Sequence, residues 1–242
     1  MRYAYNMETL NTKQFCPYCN FELQKIPLRK SKCPECKKFI YVKRGPNEKS
    51  KRLVTEEEAE KIESEWNVIN EINRKDDILL SLKSGLKNSI EISESEFDKI
   101  YRQVENDLRN KWSVDPAEGD VLWGLAHELL KKAFVKKDFQ GAKSLYQNMS
   151  YYVYESNKDG YELLKEAHKM ELRFYEQLDV CKKIEISVCN DACEECQKNK
   201  NLILDIDEAI KSCPLPCKKC TNKTYGQSLP RCRCCYLSHF ED

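Results

Sequence analysis

The sequence predicts a mainly α-helical chain. A helical bundle or helical-hairpin body is flanked by a small β module at the N-terminus and a small cysteine-rich α+β module at the C-terminus. Three observations predict this. Fourteen cysteines fall in two terminal sets, with none between Cys36 and Cys181. Residues 55–180 repeat apolar side chains at three- and four-residue steps behind helix-capping pairs. The terminal segments carry short alternating apolar runs instead. The implied boundaries are 1–45 for the first module, 46–54 for a basic linker, 55–180 for the helical domain and 181–242 for the tail.

In the first module Cys16-Pro17-Tyr18-Cys19 and Cys33-Pro34-Glu35-Cys36 set thiols two residues apart. Two such pairs supply the four sulfurs that a tetrahedral zinc ion takes, whereas a disulfide framework does not favour this spacing. Proline presets each turn, so that backbone N–H groups point at sulfur. Phe21 and Leu23 alternate on one arm between the knuckles; Phe39, Tyr41 and Val42 populate the other. The segment resembles a zinc ribbon. It is too small to fold on apolar burial alone, and zinc would contribute on the order of 10 kcal/mol.

Charge is segregated along the chain. Residues 1–52 hold 13 Lys/Arg against 4 Asp/Glu, residues 53–180 hold 18 against 27, and residues 181–242 hold 10 against 9. A basic end on an acidic body fits contact with nucleic acid or an acidic protein, and equally fits attraction between the two parts. Lys30, Lys32, Lys37 and Lys38 are the candidate nucleic-acid contacts, among further basic residues at Lys25, Arg29, Lys43 and Arg44. The charged stretch 43–52, with its Gly45-Pro46 breaker, reads as a linker.

Five helices follow. Thr55 and Glu58 make a capping box ahead of Ala59, Ile62, Trp66 and Ile69. Ser93 and Glu96 repeat the signal ahead of Phe97, Ile100 or Tyr101, Val104, Leu108 and Trp112. Asp115-Pro116 is expected to start a helix carrying Val121, Leu122, Leu125, Leu129 and Ala133. Asp138 opens the next, through Ala142, Leu145, Tyr146, Met149 and Val153; after Asp159-Gly160 the last carries Leu163, Leu164, Ala167, Met170, Leu172 and Tyr175. Short polar turns between them predict antiparallel neighbours, a docking surface for a protein partner. Residues 121–178 resemble a tetratricopeptide-type hairpin without keeping its period. The many tyrosines here sit at helical spacing, which assigns most of them to packing.

In the tail Ile184, Ile186 and Val188 alternate as a strand, 202–204 suggest a second, and 205–211 a helical turn. The candidate metal ligands are Cys193, Cys196, Cys217, Cys220, Cys232 and Cys234. The best pairs by spacing are Cys193 with Cys196 and Cys217 with Cys220. Either one or two zinc ions are compatible with eight cysteines. Cys181 and Cys189 lack a close partner and read as buried thiols. The order strand, Cys193/Cys196, strand and turn, Pro214-Leu215-Pro216, then Cys232-Arg233-Cys234 resembles the C-terminal cysteine motif of phage Mu-type head-morphogenesis (MuF-like) proteins. The resemblance covers roughly 55 residues and implies a phage-like or mobile-element origin for the tail. This chain has Lys200-Asn201 where that family has a glycine and Leu229-Pro230-Arg231 where it has a histidine, so Cys217 or Cys220 would replace that histidine as ligand.

Catalytic patterns are sparse. Pro216-Cys217-Lys218-Lys219-Cys220 matches half of a zinc nucleobase-deaminase signature, with Cys193-Glu194-Glu195 as the other half and Glu195 as proton shuttle. Against it, Cys196 and the 232–235 cluster would fill the open position that a catalytic zinc needs. His127, His168 and His239 form no His-Glu-x-x-His motif, and no phosphate-binding loop or Gly-x-Ser-x-Gly is present. No catalytic residue is assigned. The start of the chain lacks the apolar core of a signal peptide, and no run reaches a membrane span, so a cytoplasmic, zinc-binding, non-catalytic adaptor is expected.

Overall fold

A computed structural model describes residues 14–25, 27–178, 181–223 and 229–239. The chain start, expected to lack an export signal, lies outside the described residues. Two compact units divide between Lys75 and Asp76.

In the first unit β1 (Ser31–Lys32), β2 (Phe39–Lys43) and β3 (Arg52–Val54) form an antiparallel sheet in the order β1-β2-β3. Ser31 pairs with Ile40, and Tyr41 pairs with Val54. An isolated bridge joins Phe15 to Glu22. The central strand alternates in the usual way. Ile40 is fully buried among the cysteines, while Phe39 stays exposed on the other face.

β3 falls inside the stretch expected to be a linker. Its charged residues are paired: Arg52 donates to Glu48 at 2.7 Å and reaches Glu58 at 3.4 Å, and the Gly45 N–H donates to Glu48 at 2.8 Å. With these charges paired, Leu53 and Val54 are free to join the sheet and its packing. The chain turns directly into α1 (Glu56–Lys87). Its capping box forms as expected, the Thr55 N–H donating to Glu58 at 3.0 Å and the Glu58 N–H to Thr55 Oγ1 at 3.2 Å. Ala59 and Ile62 bury against Val54, Tyr41 and Trp66. The Glu56 N–H donates to the Tyr18 hydroxyl at 2.7 Å, and the Trp66 indole donates to the Arg44 carbonyl at 2.8 Å. The first knuckle and the sheet are thus fastened to the start of α1.

The second unit begins within α1 and continues through α2 (Glu94–Trp112), α3 (Glu118–Lys136), α4 (Phe139–Glu155) and α5 (Tyr161–Gln177). Ser93 caps α2 through the Glu96 N–H at 3.2 Å, and Asp138 caps α4 through the Gly141 N–H at 2.8 Å. α3 starts at Glu118, later than Asp115-Pro116 suggested, because Asp115 is drawn back to Arg109 at 2.7 Å and leaves the cap position to Ala117. Neighbours run antiparallel: Glu96 at the start of α2 meets Lys132 near the end of α3 at 2.8 Å, and Lys143 early in α4 meets Glu171 late in α5. Leu122, Leu125, Leu129, Leu145 and Met149 form a fully buried centre. Gly160 has no room for a side chain, since a Cβ there would stand 2.8 Å from the Ser150 carbonyl oxygen.

The tail adds β4 (Lys183–Ser187), α6 (Glu194–Gln197), β5 (Ile203–Asp205), α7 (Ile206–Ser212) and β6 (Cys235–His239), with sheet order β5-β4-β6. Ile184 and Ile186 are fully buried and pack with Leu164 and Leu172 of α5, Leu215 and Tyr236. The cysteine-rich tail therefore shares its core with the last helix. Among the described residues no helix is long and apolar enough to cross a membrane.

Candidate metal centres

The two N-terminal knuckles repeat one backbone pattern. The Cys16 N–H donates to the Phe21 carbonyl and the Asn20 N–H to Cys16; likewise the Cys33 N–H donates to the Lys38 carbonyl and the Lys37 N–H to Cys33. Each is closed by a residue in the left-handed region, Asn20 at φ 58° and Lys37 at φ 60°. The four sulfurs converge to within 4.8 Å of one another. Cys16 lies 3.7 Å from Cys36, and Cys19 lies 3.8 Å from Cys33.

Desolvation works against the Cys33 thiolate, yet the N–H groups of Cys36 and Glu35 outweigh it and bring its pKa down to about 7. At Cys19 the Phe21 N–H favours the thiolate, but desolvation and the sulfurs of Cys16, Cys36 and Cys33 push the thiol up to about 12. Four close sulfurs cannot all ionise without a cation among them. Oriented N–H donors with mutually repelling thiolates are what a metal site needs.

In the tail the sulfurs of Cys193, Cys196 and Cys220 lie within 4.8 Å of one another, and so do those of Cys196, Cys232 and Cys234. Cys193 stands 3.9 Å from Cys220, and Cys196 stands 3.8 Å from Cys232. Burial opposes the Cys193 thiolate, but the N–H groups of Thr221 and Cys196 bring it down to about 6. At Cys196 burial and the charge of Cys232 push the thiol up; at Cys232 hydrogen bonds from Cys217 and Cys234 hold it down. Both terminal clusters can hold a metal ion. The pairing within the tail differs from simple spacing: Cys220 joins Cys193 and Cys196, while Cys217 belongs to neither close sulfur group and accepts from Asn199 at 3.2 Å.

All fourteen cysteines are free thiols. Three of the cysteines outside these groups point their thiols at backbone carbonyls: Cys181 at Lys183, Cys189 at Arg233 and Cys213 at Leu215. Cys181 is buried as expected, and Cys189 is half-buried.

The candidate lysines are all exposed. Lys30 Nζ stands 4.5 Å from the ring centres of both Phe39 and Tyr41, and Lys32 stands 5.1 Å from Phe39. These two share one face of β2, opposite buried Ile40. Lys38 lies 4.9 Å over Tyr18 on the knuckle turn. Lys37 donates to the Pro34 carbonyl at 2.5 Å, so its ammonium is occupied within its own knuckle.

One buried group escaped sequence reasoning. Glu171 contacts Lys143 and accepts from His168 Nδ1 at 3.1 Å, with the Glu171 and His168 side chains each 4% exposed. The other ring nitrogen of His168 has no partner among the described residues. The imidazole meets the Tyr236 ring edge-on at 5.5 Å. An i,i+3 His-Glu step on α5 was legible in the sequence, but its burial beneath β6 was not. Compared with protein-family models, curated proteins and solved structures, the chain matches none of them.

Proposed function

We propose that this chain is a non-catalytic, zinc-binding adaptor whose basic N-terminal module contacts nucleic acid. Zinc bonded to four thiolates at about 2.3 Å has sulfur–sulfur edges of about 3.8 Å. The closest sulfur pairs, at 3.7–3.9 Å, match that edge. Sulfur-only donors suit a soft or borderline ion, and four converging thiolates at the N-terminal site would fill a tetrahedral shell without a place for water or substrate. Cys16, Cys19, Cys33 and Cys36 would hold one ion as a zinc ribbon does, and the tail thiols would close the C-terminal module. Glu195, the residue a deaminase would need free for proton transfer, is paired with Lys198 at 2.6 Å.

The observation that carries the recognition reading is the face of β2 on which Lys30 and Lys32 flank Phe39, itself 42% exposed. Ammonium groups beside an accessible ring can neutralise phosphates while a base stacks. The hydrogen bond with Tyr41 raises the Lys30 pKa, so its charge persists well above neutral pH. The double variant Lys30→Glu/Lys32→Glu is expected to lose at least tenfold in affinity for a single-stranded oligonucleotide. Its plot of log K against log salt should flatten by roughly 1.5, with zinc content unchanged. Phe39→Ala should weaken binding without altering that slope. Unchanged retention in both variants contradicts the reading, and capture of acidic polypeptides in its place would assign the face to an acidic protein.

A second reading, a structural component of a phage-like particle, is supported by the order of tail elements: β4, Cys193/Cys196, β5, α7, the Pro214–Pro216 stretch and the Cys232-Arg233-Cys234 approach to β6. Co-purification with a portal or capsid protein tests it.

A further inference from the structure

The tail thiols fall into two triples, and neither reaches four. Cys193, Cys196 and Cys220 lie within 4.8 Å of one another, as do Cys196, Cys232 and Cys234. Two thiolates on one zinc ion, each bonded at about 2.3 Å, stand at most about 4.6 Å apart. Among the described residues no further cysteine, histidine or carboxylate comes within that reach of a whole triple. Cys217 belongs to neither, and its sulfur accepts from Asn199 at 3.2 Å. The N-terminal site differs, because its four sulfurs converge in a single group. An ion held by either tail triple therefore keeps one tetrahedral position that none of these side chains fills.

That position has a way in. A cleft of about 340 Å³ is lined by the start of α5 and the 216–220 turn, and Cys220 of one triple and Cys232 of the other both belong to its wall. Tyr154 and Tyr161 add their rings, while Asp159, Glu162 and Lys218 supply its charges. We propose, on the zinc reading of the tail given above, that the tail centre binds a small aminothiol in this cleft, its sulfur on the metal and its ammonium against Asp159 and Glu162. An unfilled position on zinc takes water until a better ligand displaces it. Thiolate is a softer donor than water and matches the three sulfurs already present. On binding, the thiol gives its proton to solvent, its sulfur bonds to zinc, and the water leaves. Both carboxylates are exposed and so open to a ligand arriving from solvent, and Asp159 is oriented by the Tyr161 N–H at 2.9 Å. Two carboxylates against one ammonium favour a cationic ligand, whereas a mercaptocarboxylate would set like charges together.

Zinc-edge X-ray absorption of the full-length Cys16→Ser/Cys33→Ser variant, in which the zinc left is that of the tail, reads the ligand set. The expected shell is three sulfurs at about 2.3 Å and one oxygen at about 2.0–2.2 Å, becoming four sulfurs when cysteamine is added. Mercaptoacetate should bind at least tenfold more weakly, and Glu162→Lys should remove that preference. In the unaltered chain the mean sulfur count per zinc should stand below four and rise to four with cysteamine, so the test does not depend on how the variant folds. Four sulfurs before any thiol is added, with Cys217 or another thiol closing the shell, overturn the open position. A three-sulfur shell that cysteamine leaves unchanged, or equal binding of mercaptoacetate, overturns the aminothiol site. Each of these results leaves zinc in the tail. A variant without zinc, beside an unaltered chain holding one ion by four sulfurs, overturns the zinc reading of the tail together with the ligand site.

Discussion

Removing the metal is expected to unfold residues 14–54 while most of the helical signal survives. In this module the buried core consists of Cys16, Cys33 and Ile40, with Tyr18, Leu23, Cys36 and Leu53 only partly covered. Two of the three buried residues in this cluster are the proposed ligands, so without an ion the apolar burial left to offset the entropy of ordering the chain is Ile40 and the packing of Val54 on Ala59 and Ile62. A bound zinc contributes on the order of 10 kcal/mol here. Hydrogen exchange after chelation should show loss of protection at the amides of Cys16, Asn20, Cys33 and Lys37, which hold the two knuckles. The cluster around Leu122, Leu125, Leu129 and Leu145 has no cysteine in it and should stay protected. Cys33→Ser should reproduce the effect of chelation on the first unit alone. Thiolates must shed protons to bind, so zinc affinity should fall as pH drops below neutrality. Retained protection in the knuckles of a metal-free sample would show that the turns fold without an ion.

Glu171→Gln is expected to destabilise the second unit by about 2–4 kcal/mol, because it removes one partner of a buried charge pair and leaves the Lys143 ammonium uncompensated. For a unit of this size that corresponds to a fall of roughly 5–10 °C in melting temperature. Burial by itself would raise the Glu171 pKa, but the hydrogen bond from His168 and the charge of Lys143 outweigh it and hold it below 4.5. A carboxyl depressed in the folded state stabilises the fold above its unfolded pKa. That stabilisation drains away as pH falls through the folded value. The stability difference between wild type and variant should therefore be constant above about pH 5 and shrink below about pH 4. Both proteins carry the same thiols, so acid release of metal cancels from the comparison. A variant within about 0.5 kcal/mol of wild type across that range would show that the triad contributes nothing net.

The parts of this fold that are local in sequence were legible there. Thr55/Glu58 forms both bonds of its capping box, Ser93 accepts the Glu96 N–H, and the stripe Val121, Leu122, Leu125, Leu129 and Ala133 is buried throughout. The four N-terminal thiols converge as two Cys-x-x-Cys turns must if they face each other. What sequence concealed depends on contacts between distant segments. Arg52–Val54 looked like a linker because its partners in the β2 register could not be seen. β6 was hidden beneath its cysteines, although Tyr236 pairs with Ile186 and accepts the Leu215 N–H at 3.0 Å. Lys37 looked like one more basic side chain until its backbone φ and its bond to Pro34 showed that it closes a knuckle. Cys217 and Cys220 are three residues apart, yet only Cys220 joins a close sulfur group, and spacing carries no information about such a division.

The most direct test of metal-held thiols is residue-resolved alkylation of the native protein before and after chelation. The zinc form is expected to protect Cys16, Cys19, Cys33, Cys36, Cys193, Cys196, Cys217, Cys220, Cys232 and Cys234, and chelation is expected to expose them. Cys19 is the decisive site, because it is exposed and burial therefore cannot shield it. Protection of Cys19 that disappears with the ion is the predicted result. Rapid labelling of Cys19 in the untreated protein, or its recovery in a disulfide, would contradict the account.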